Sequence, residues 1–334
     1  MLAAFLGLSG PALTDGERAF IRERDPAGFI LFGRNVADKP QLRALTDSLR
    51  ALSGRSDLPI LIDQEGGRVA RLKAPVWPVF PPPWRFCQLY DRAPISAIEA
   101  ARVNGEALAL TLAEMGINVD CHPVLDLRHD GAHDVIGDRA FGAEPMRVAA
   151  LARATLDGLA AGGVCGVLKH IPGHGRARAD SHHELPRVDA TDEELADDIA
   201  PFRALREAPM AMTAHLLYAA WDAERPATLS PTIIADIIRT RIGFDGLLMS
   251  DDISMEALSG TLAERARGAI AAGCDVVLHG SGVLAESDEA ASGVGEMKAA
   301  ASERLARAMS RTGHASGQDY DALAAKRDAL LSYA

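Results

Sequence analysis

Val164-Cys165-Gly166-Val167-Leu168-Lys169 leads without a break into His170-Ile171-Pro172-Gly173-His174-Gly175. The first six residues are too few for a helix and apolar on both faces. A strand of that kind is covered on both sides, as in a parallel sheet packed under helices. The abrupt change to polar residues marks the strand's end. The same junction recurs at Phe5–Leu8, Gly28–Phe32, Pro59–Ile62, Asn118–Pro123, Met210–Ala214, Leu247–Ser250 and Asp275–His279. Helical patterns lie between these runs, at Lys39–Leu52, Ile95–Met115, Pro145–Ala161, Thr191–Glu207, Ser230–Ile242 and Leu262–Ala272. Several carry their own boundary signals. Pro145 sits at a first turn, Thr191 opens a capping pattern, and Gly162, Gly243 and Gly273 stand at stops.

Eight strands alternating with helices over 334 residues predict the α/β class and a (β/α)8 TIM-type barrel. A doubly wound open sheet is the runner-up. No GxGxxG follows the first strand and no GxxxxGK[ST] occurs, so the nucleotide-binding versions of that sheet lack their signature. Residues 1–334 are expected to form one catalytic domain, with helices at 296–311 and 319–333 packing on the barrel. Val76–Trp84 reads as an ordered proline-rich loop. Ser281–Gly295, rich in Gly, Ala and Ser, reads as a mobile loop.

Composition narrows the function classes. Hydrophobic residues make up 48% and charged residues 24%, the balance of a soluble globular chain. The net charge of −11 argues against a general nucleic-acid binder. No apolar stretch is long enough to span a membrane, so no membrane partner is expected. The first 17 residues carry no Lys or Arg, and the apolar start stops at Ser9-Gly10-Pro11, unlike a secretory signal. The four cysteines have no paired spacing and read as free thiols of a cytoplasmic protein. A monomer is favoured.

Chemistry in such a barrel gathers at the carboxyl ends of its strands. Pro59–Ile62 is followed by Asp63-Gln64-Glu65-Gly66-Gly67-Arg68-Val69-Ala70-Arg71. Asn118–Pro123 is followed by Asp126, Arg128 and a loop reaching Arg139. Lys169 and His170 end a strand, and His174, Asp180, Ser181, His182 and His183 follow. His215, Asp251, Asp252 and His279 occupy the remaining ends. A lone charge at the end of an apolar strand is costly unless it is paired or used. Asp251 there suits a nucleophile, a metal ligand or an ion-pair partner. Asp180 beside His182 can favour the charged imidazole, although a surface histidine would read the same way. A strand-end Lys169 calls for an acidic partner or a polar ligand. His170, His174, His182, His183 and the Asp pair could supply metal ligands. However, no HExxH or HxH spacing aligns them, and no metal or other cofactor is expected.

Taken in order, four motifs resemble glycoside hydrolase family 3 in its β-N-acetylglucosaminidase branch. They are Ile62-Asp63-Gln64-Glu65-Gly66-Gly67-Arg68-Val69, Lys169 to Gly175, Asp180-Ser181-His182, and Met249-Ser250-Asp251-Asp252-Ile253-Ser254-Met255. Ile171 stands where the family usually has Phe. The resemblance implies a β-N-acetylhexosaminidase with Asp251 as nucleophile. It gives Asp252 as the neighbouring alternative, and His182 as general acid/base assisted by Asp180. It implies that Asp63, Arg71, Arg139, Lys169 and His170 hold the sugar, and that His174 shapes the catalytic loop. It also implies a small-molecule muropeptide substrate, N-acetylglucosamine β-1,4-linked to (anhydro)muramic acid with or without peptide, met in cell-wall recycling. A phosphorylase on the same site and a non-catalytic sugar-binding barrel are the alternatives.

Overall fold

The computed structural model describes residues 1–177, 181 and 185–333. Eight parallel strands close into a barrel: β1 (Leu2–Gly7), β2 (Pro26–Leu31), β3 (Ile60–Ile62), β4 (Val119–Asp120), β5 (Cys165–Ile171), β6 (Met210–Thr213), β7 (Leu247–Asp252) and β8 (Val276–His279). Each strand neighbours the next in sequence, and β8 pairs with β1 through Phe5 opposite Leu278. This is the expected (β/α)8 TIM-type barrel. A separate pair of two-residue strands, Arg187–Val188 and Leu217–Tyr218, lies beside the C-terminal mouth.

The two-faced apolar character of the strands follows from this closure. Phe5, Ile30, Leu61, Val119, Cys165, Val167, Met210, Met212, Met249 and Val276 fill the barrel interior. Their alternates Leu6, Phe29, Ile60, Leu168, Ala211, Leu248 and Val277 pack outward under the helices. Of the helices read from sequence, Pro145–Ala161 and Leu262–Ala272 lie where expected, and Lys39–Ser53 and Pro94–Glu114 differ by a residue at their ends. Thr191 and Glu194 do exchange capping hydrogen bonds, but the regular helix begins only at Leu195 and ends at Ala204. Ser230 accepts from the Ile233 amide at the entry to Ile233–Ile242, which is wound with π-helical i to i+5 bonds.

Two helices were not read from the sequence, and one loop reading is overturned. Asp15–Arg24 is a helix capped reciprocally by Thr14 and Glu17. It shows only a short apolar face, with Ile21 buried. Pro83–Tyr90 is a helix that begins inside the proline-rich segment, because proline is compatible with a first turn. Ser281–Gly295 is not a mobile loop: Leu284–Gly293 forms the helix after β8. Its small residues permit close packing. A Cβ on Gly293 would fall 2.1 Å from the Ala263 carbonyl oxygen of the neighbouring helix.

The C-terminal segments take distinct places. Met297 with Ala301, Leu305, Ala308 and Met309 of helix Ala299–Met309 joins the barrel-interior cluster. Arg304 pairs with Asp245 and Asp275, which precede β7 and β8, so this helix closes the N-terminal opening. Helix Tyr320–Leu331 lies against Pro94–Glu114, tied by Lys326 to Glu99. Both leave the opposite mouth free.

Candidate active site

The C-terminal mouth holds a cavity of about 570 Å³. Asp63, Arg71, Arg139, Lys169, His170, His174, Asp251 and Asp252 all line it, drawn from the ends of β3, β5 and β7 and the loops that follow β3, β4 and β5. Asp180 and His182 lie outside the described residues. Ser181, between them, is buried and also faces the cavity.

Lys169 shows how the cluster is built. It is only 2% exposed, so its ammonium requires partners. Its Nζ lies 2.9 Å from Asp63 Oδ1 and 2.7 Å from Glu65 Oε1. Arg139, presented by the turn Gly137–Arg139, grips the other side of Glu65 in a fork, with Nε and Nη2 each at 2.8 Å. Arg71 Nη2 reaches Asp63 Oδ2 at 3.1 Å. Two carboxylates thus hold three cations around one side of the cavity. Burial alone would raise the Asp63 carboxyl, but Lys169 and Arg71 outweigh it and hold it below the usual range. Glu65 is held down against its own burial by Arg139 and Lys169. Burial acts to lower the Lys169 ammonium pKa, but Asp63 and Glu65 push it above its usual range.

The backbone of the Asp63–Arg71 segment explains how Asp63 and Arg71 meet. Gln64 takes the Arg71 and Leu72 amides on Oε1 and donates its Nε2 to the Leu72 carbonyl, folding the segment back on itself. The Gln64 amide is held in turn by Asp120 Oδ1. Gly66 has φ +93°, and a Cβ there would fall 2.4 Å from the Pro81 carbonyl. Glycine is therefore required where the segment passes under the prolines.

Asp251 stands at the end of β7, where its Oδ1 accepts the Asp252 amide at 2.8 Å. Burial would raise its carboxyl, but His170 and His215 outweigh that and keep it low. It is therefore an ionised carboxylate at neutral pH. Asp252 is used differently. Its Oδ1 accepts the Ser254 and Gly280 amides, which ties the β7 and β8 loops together. His170 Nδ1 meets Asp126 Oδ2 at 2.6 Å. His174 Nε2 lies 3.2 Å from Ser181 Oγ, while burial together with His170 pushes its imidazole down to about 4. Among the described residues no three His, Cys, Asp or Glu side chains are grouped to hold a metal.

Sequence reasoning did not assign roles to Glu65, Asp126 or His215. Glu65 lay in a quoted motif, and Asp126 and His215 lay at quoted strand ends, so position was the available signal. Phe32 was missed at the end of its run. It lines the cavity with the Arg34 and Arg71 guanidiniums 4.8 and 5.6 Å from its ring centre. The rim residues Arg68 and His133 to Ile136 were missed as well.

The arrangement offers an ionised carboxylate facing a wall of fixed cations and acceptors, which suits a polyhydroxylated neutral ligand. Residues 6–312 match the family described as the glycosyl hydrolase family 3 N terminal domain. A β-hexosaminidase of Bordetella avium is 41% identical over 276 residues, covering 81% of this chain and 78% of its own. One from Chromobacterium violaceum is 43% identical over 276 residues, covering 81% and 76%. The crystal structure of NagZ from Neisseria gonorrhoeae in complex with N-trifluoroacetyl-D-glucosamine superposes with a TM-score of 0.88 at 33% identity, covering 99% of this chain and 97% of that one. With this match and the cavity at the barrel mouth, the chain belongs to glycoside hydrolase family 3.

Proposed function

We propose that this family member is a retaining β-N-acetylhexosaminidase that removes terminal β-linked N-acetylglucosamine from peptidoglycan fragments. The substrate is N-acetylglucosamine β-1,4-linked to (anhydro)muramic acid, with or without peptide, in cytoplasmic cell-wall recycling. Hydrolysis of β-N-acetylglucosaminides accords with the family and with the named β-hexosaminidases. The N-acetylglucosamine derivative held by the Neisseria NagZ supports the sugar. Four buried, unbonded cysteines suit a reducing compartment. We take residues 1–334 as one catalytic domain.

The observation that carries the mechanism is the ionised Asp251 facing the same cavity as the charged cluster around Lys169. Asp251 attacks the anomeric carbon as a general acid protonates the departing oxygen. A glycosyl–Asp251 ester forms, and water then cleaves it with the same group acting as base. That acid/base is His182, with Asp180 favouring its charged form, both assigned from the Asp180-Ser181-His182 motif. Asp63, being ionised, accepts from sugar hydroxyls. Lys169, Arg71 and Arg139 donate to hydroxyls or to the acetamido carbonyl. Because each is already tied to a carboxylate, little reorganisation accompanies binding.

The test is release of an aryl group from the β-N-acetylglucosaminide and from the β-glucoside, with and without phosphate. We expect strong preference for the N-acetyl sugar, indifference to phosphate, and a loss of at least about 10³-fold in a folded Asp251→Ala variant. Turnover that depends on phosphate would make the enzyme a phosphorylase. Sugar binding with no turnover would make it a binding barrel.

A further inference from the structure

Asp126 follows β4 and is fully buried. Its two oxygens are both used, and both on the Lys169–Gly175 motif. Oδ1 accepts the backbone amides of His170 at 3.2 Å and His174 at 2.6 Å. Oδ2 faces His170 Nδ1 at 2.6 Å. Burial would raise this carboxyl, but the adjacent His170 ring and the hydrogen bonds it accepts hold it below the usual range. An ionised carboxylate only accepts, so the proton between the two groups belongs to Nδ1. The second ring nitrogen, Nε2, is then the one left for the cavity that His170 lines beside Asp251.

We propose that Asp126 is a positioning residue that fixes the His170 proton on Nδ1, so that Nε2 faces bound sugar as an acceptor. The inference rests on reading this cavity as the sugar site. The mechanism is general: the hydrogen bond at one imidazole nitrogen decides what the other nitrogen can do. By tying His170 and His174 to one carboxylate, Asp126 also fixes the ring's position relative to Asp251. An asparagine at 126 would separate these two functions. Its oxygen can keep both backbone amides, while its NH2 group would face Nδ1. The ring proton would then move to Nε2, turning an acceptor into a donor.

The experiment uses full-length protein with 15N-labelled histidine. The His170 signals are identified among the ten histidines by their loss in His170→Gln. In the wild type we expect the neutral ring to be protonated at Nδ1. In Asp126→Asn we expect the proton at Nε2, with kcat/KM for the aryl β-N-acetylglucosaminide falling about 10- to 1,000-fold and its pH profile altered. A wild-type ring protonated at Nε2, alone or together with Nδ1, overturns the proposal. So does an Asp126→Asn variant with an unchanged tautomer or unchanged kcat/KM. Should that variant fail to fold, the wild-type signal still decides. Absence of both turnover and sugar binding in the wild type with the Nδ1 proton in place would instead refute the sugar-site reading.

Discussion

Glu65 is the residue on which the cavity-lining cations Arg139 and Lys169 depend, since it binds both and has no exposed surface of its own. Glu65→Gln keeps the shape and removes the charge, leaving two buried cations one carboxylate short. Breaking a buried pair from one side costs about 3–5 kcal/mol. The expected outcome is a fall of that order in unfolding free energy by urea titration, with KM for the aryl glycoside rising. A variant as stable as the wild type with unchanged KM would show that Asp63 alone suffices. The leaving-group dependence of His182→Ala is a second prediction at this scale. An activated aryl leaving group departs without a proton, so its loss should be small, and a poor leaving group should suffer most. Equal losses would remove His182 from the acid role. Asp63, Lys169 and Asp251 were legible in the sequence because a charge directly after an apolar strand needs a reason. Glu65 was not, because a carboxylate whose partners come from residues 139 and 169 looks, in sequence, like any polar loop residue.

At the scale of elements, the eight strands were legible because inner and outer faces are both apolar, and only closure under helices explains that pattern. The strand ends were less so. Asn118–Pro123 reads as six residues, yet only Val119–Asp120 pairs as a strand. The helix Leu284–Gly293 was illegible because alanine, serine and glycine carry no periodic apolar signal, and its close approach to Ala263 exists only in three dimensions. Helix Ala299–Met309 was expected, but not its place inside the N-terminal opening. That place makes a prediction. Leu305 is buried in the barrel-interior cluster, at the opposite end from Asp251. Leu305→Ala should cost about 2–5 kcal/mol in urea unfolding while leaving kcat per folded molecule unchanged. A several-fold drop in kcat with stability intact would mean that the plug communicates with the mouth.

For the whole molecule, the buried titratable groups set how stability responds to pH. Burial pushes the His122 and His174 imidazoles down to about 4. An unfolded histidine titrates near pH 6.5. Between about pH 6.5 and 4 the unfolded chain therefore binds protons that these two folded rings refuse, and stability falls as pH falls. Asp120 works against them. Burial holds its carboxyl well above the usual range, so in the same window the folded state keeps a proton that the unfolded chain has lost. Burial also lowers His215 and His279 and raises the Asp157 carboxyl, so the depressed imidazoles outnumber the raised carboxyls and acid destabilisation wins. A net difference of one proton gives a slope of about 1.4 kcal/mol per pH unit. The carboxyls of Asp63, Glu65, Asp126 and Asp251, all held below their usual range, extend the decline below pH 4. Urea unfolding at pH 4.5, 5.5, 6.5 and 7.5 should show stability rising to about pH 6.5 and then levelling. His122→Phe, packed against Phe141 without a titrating ring, should flatten that rise, whereas a flat wild-type profile would mean that these rings accept protons without unfolding.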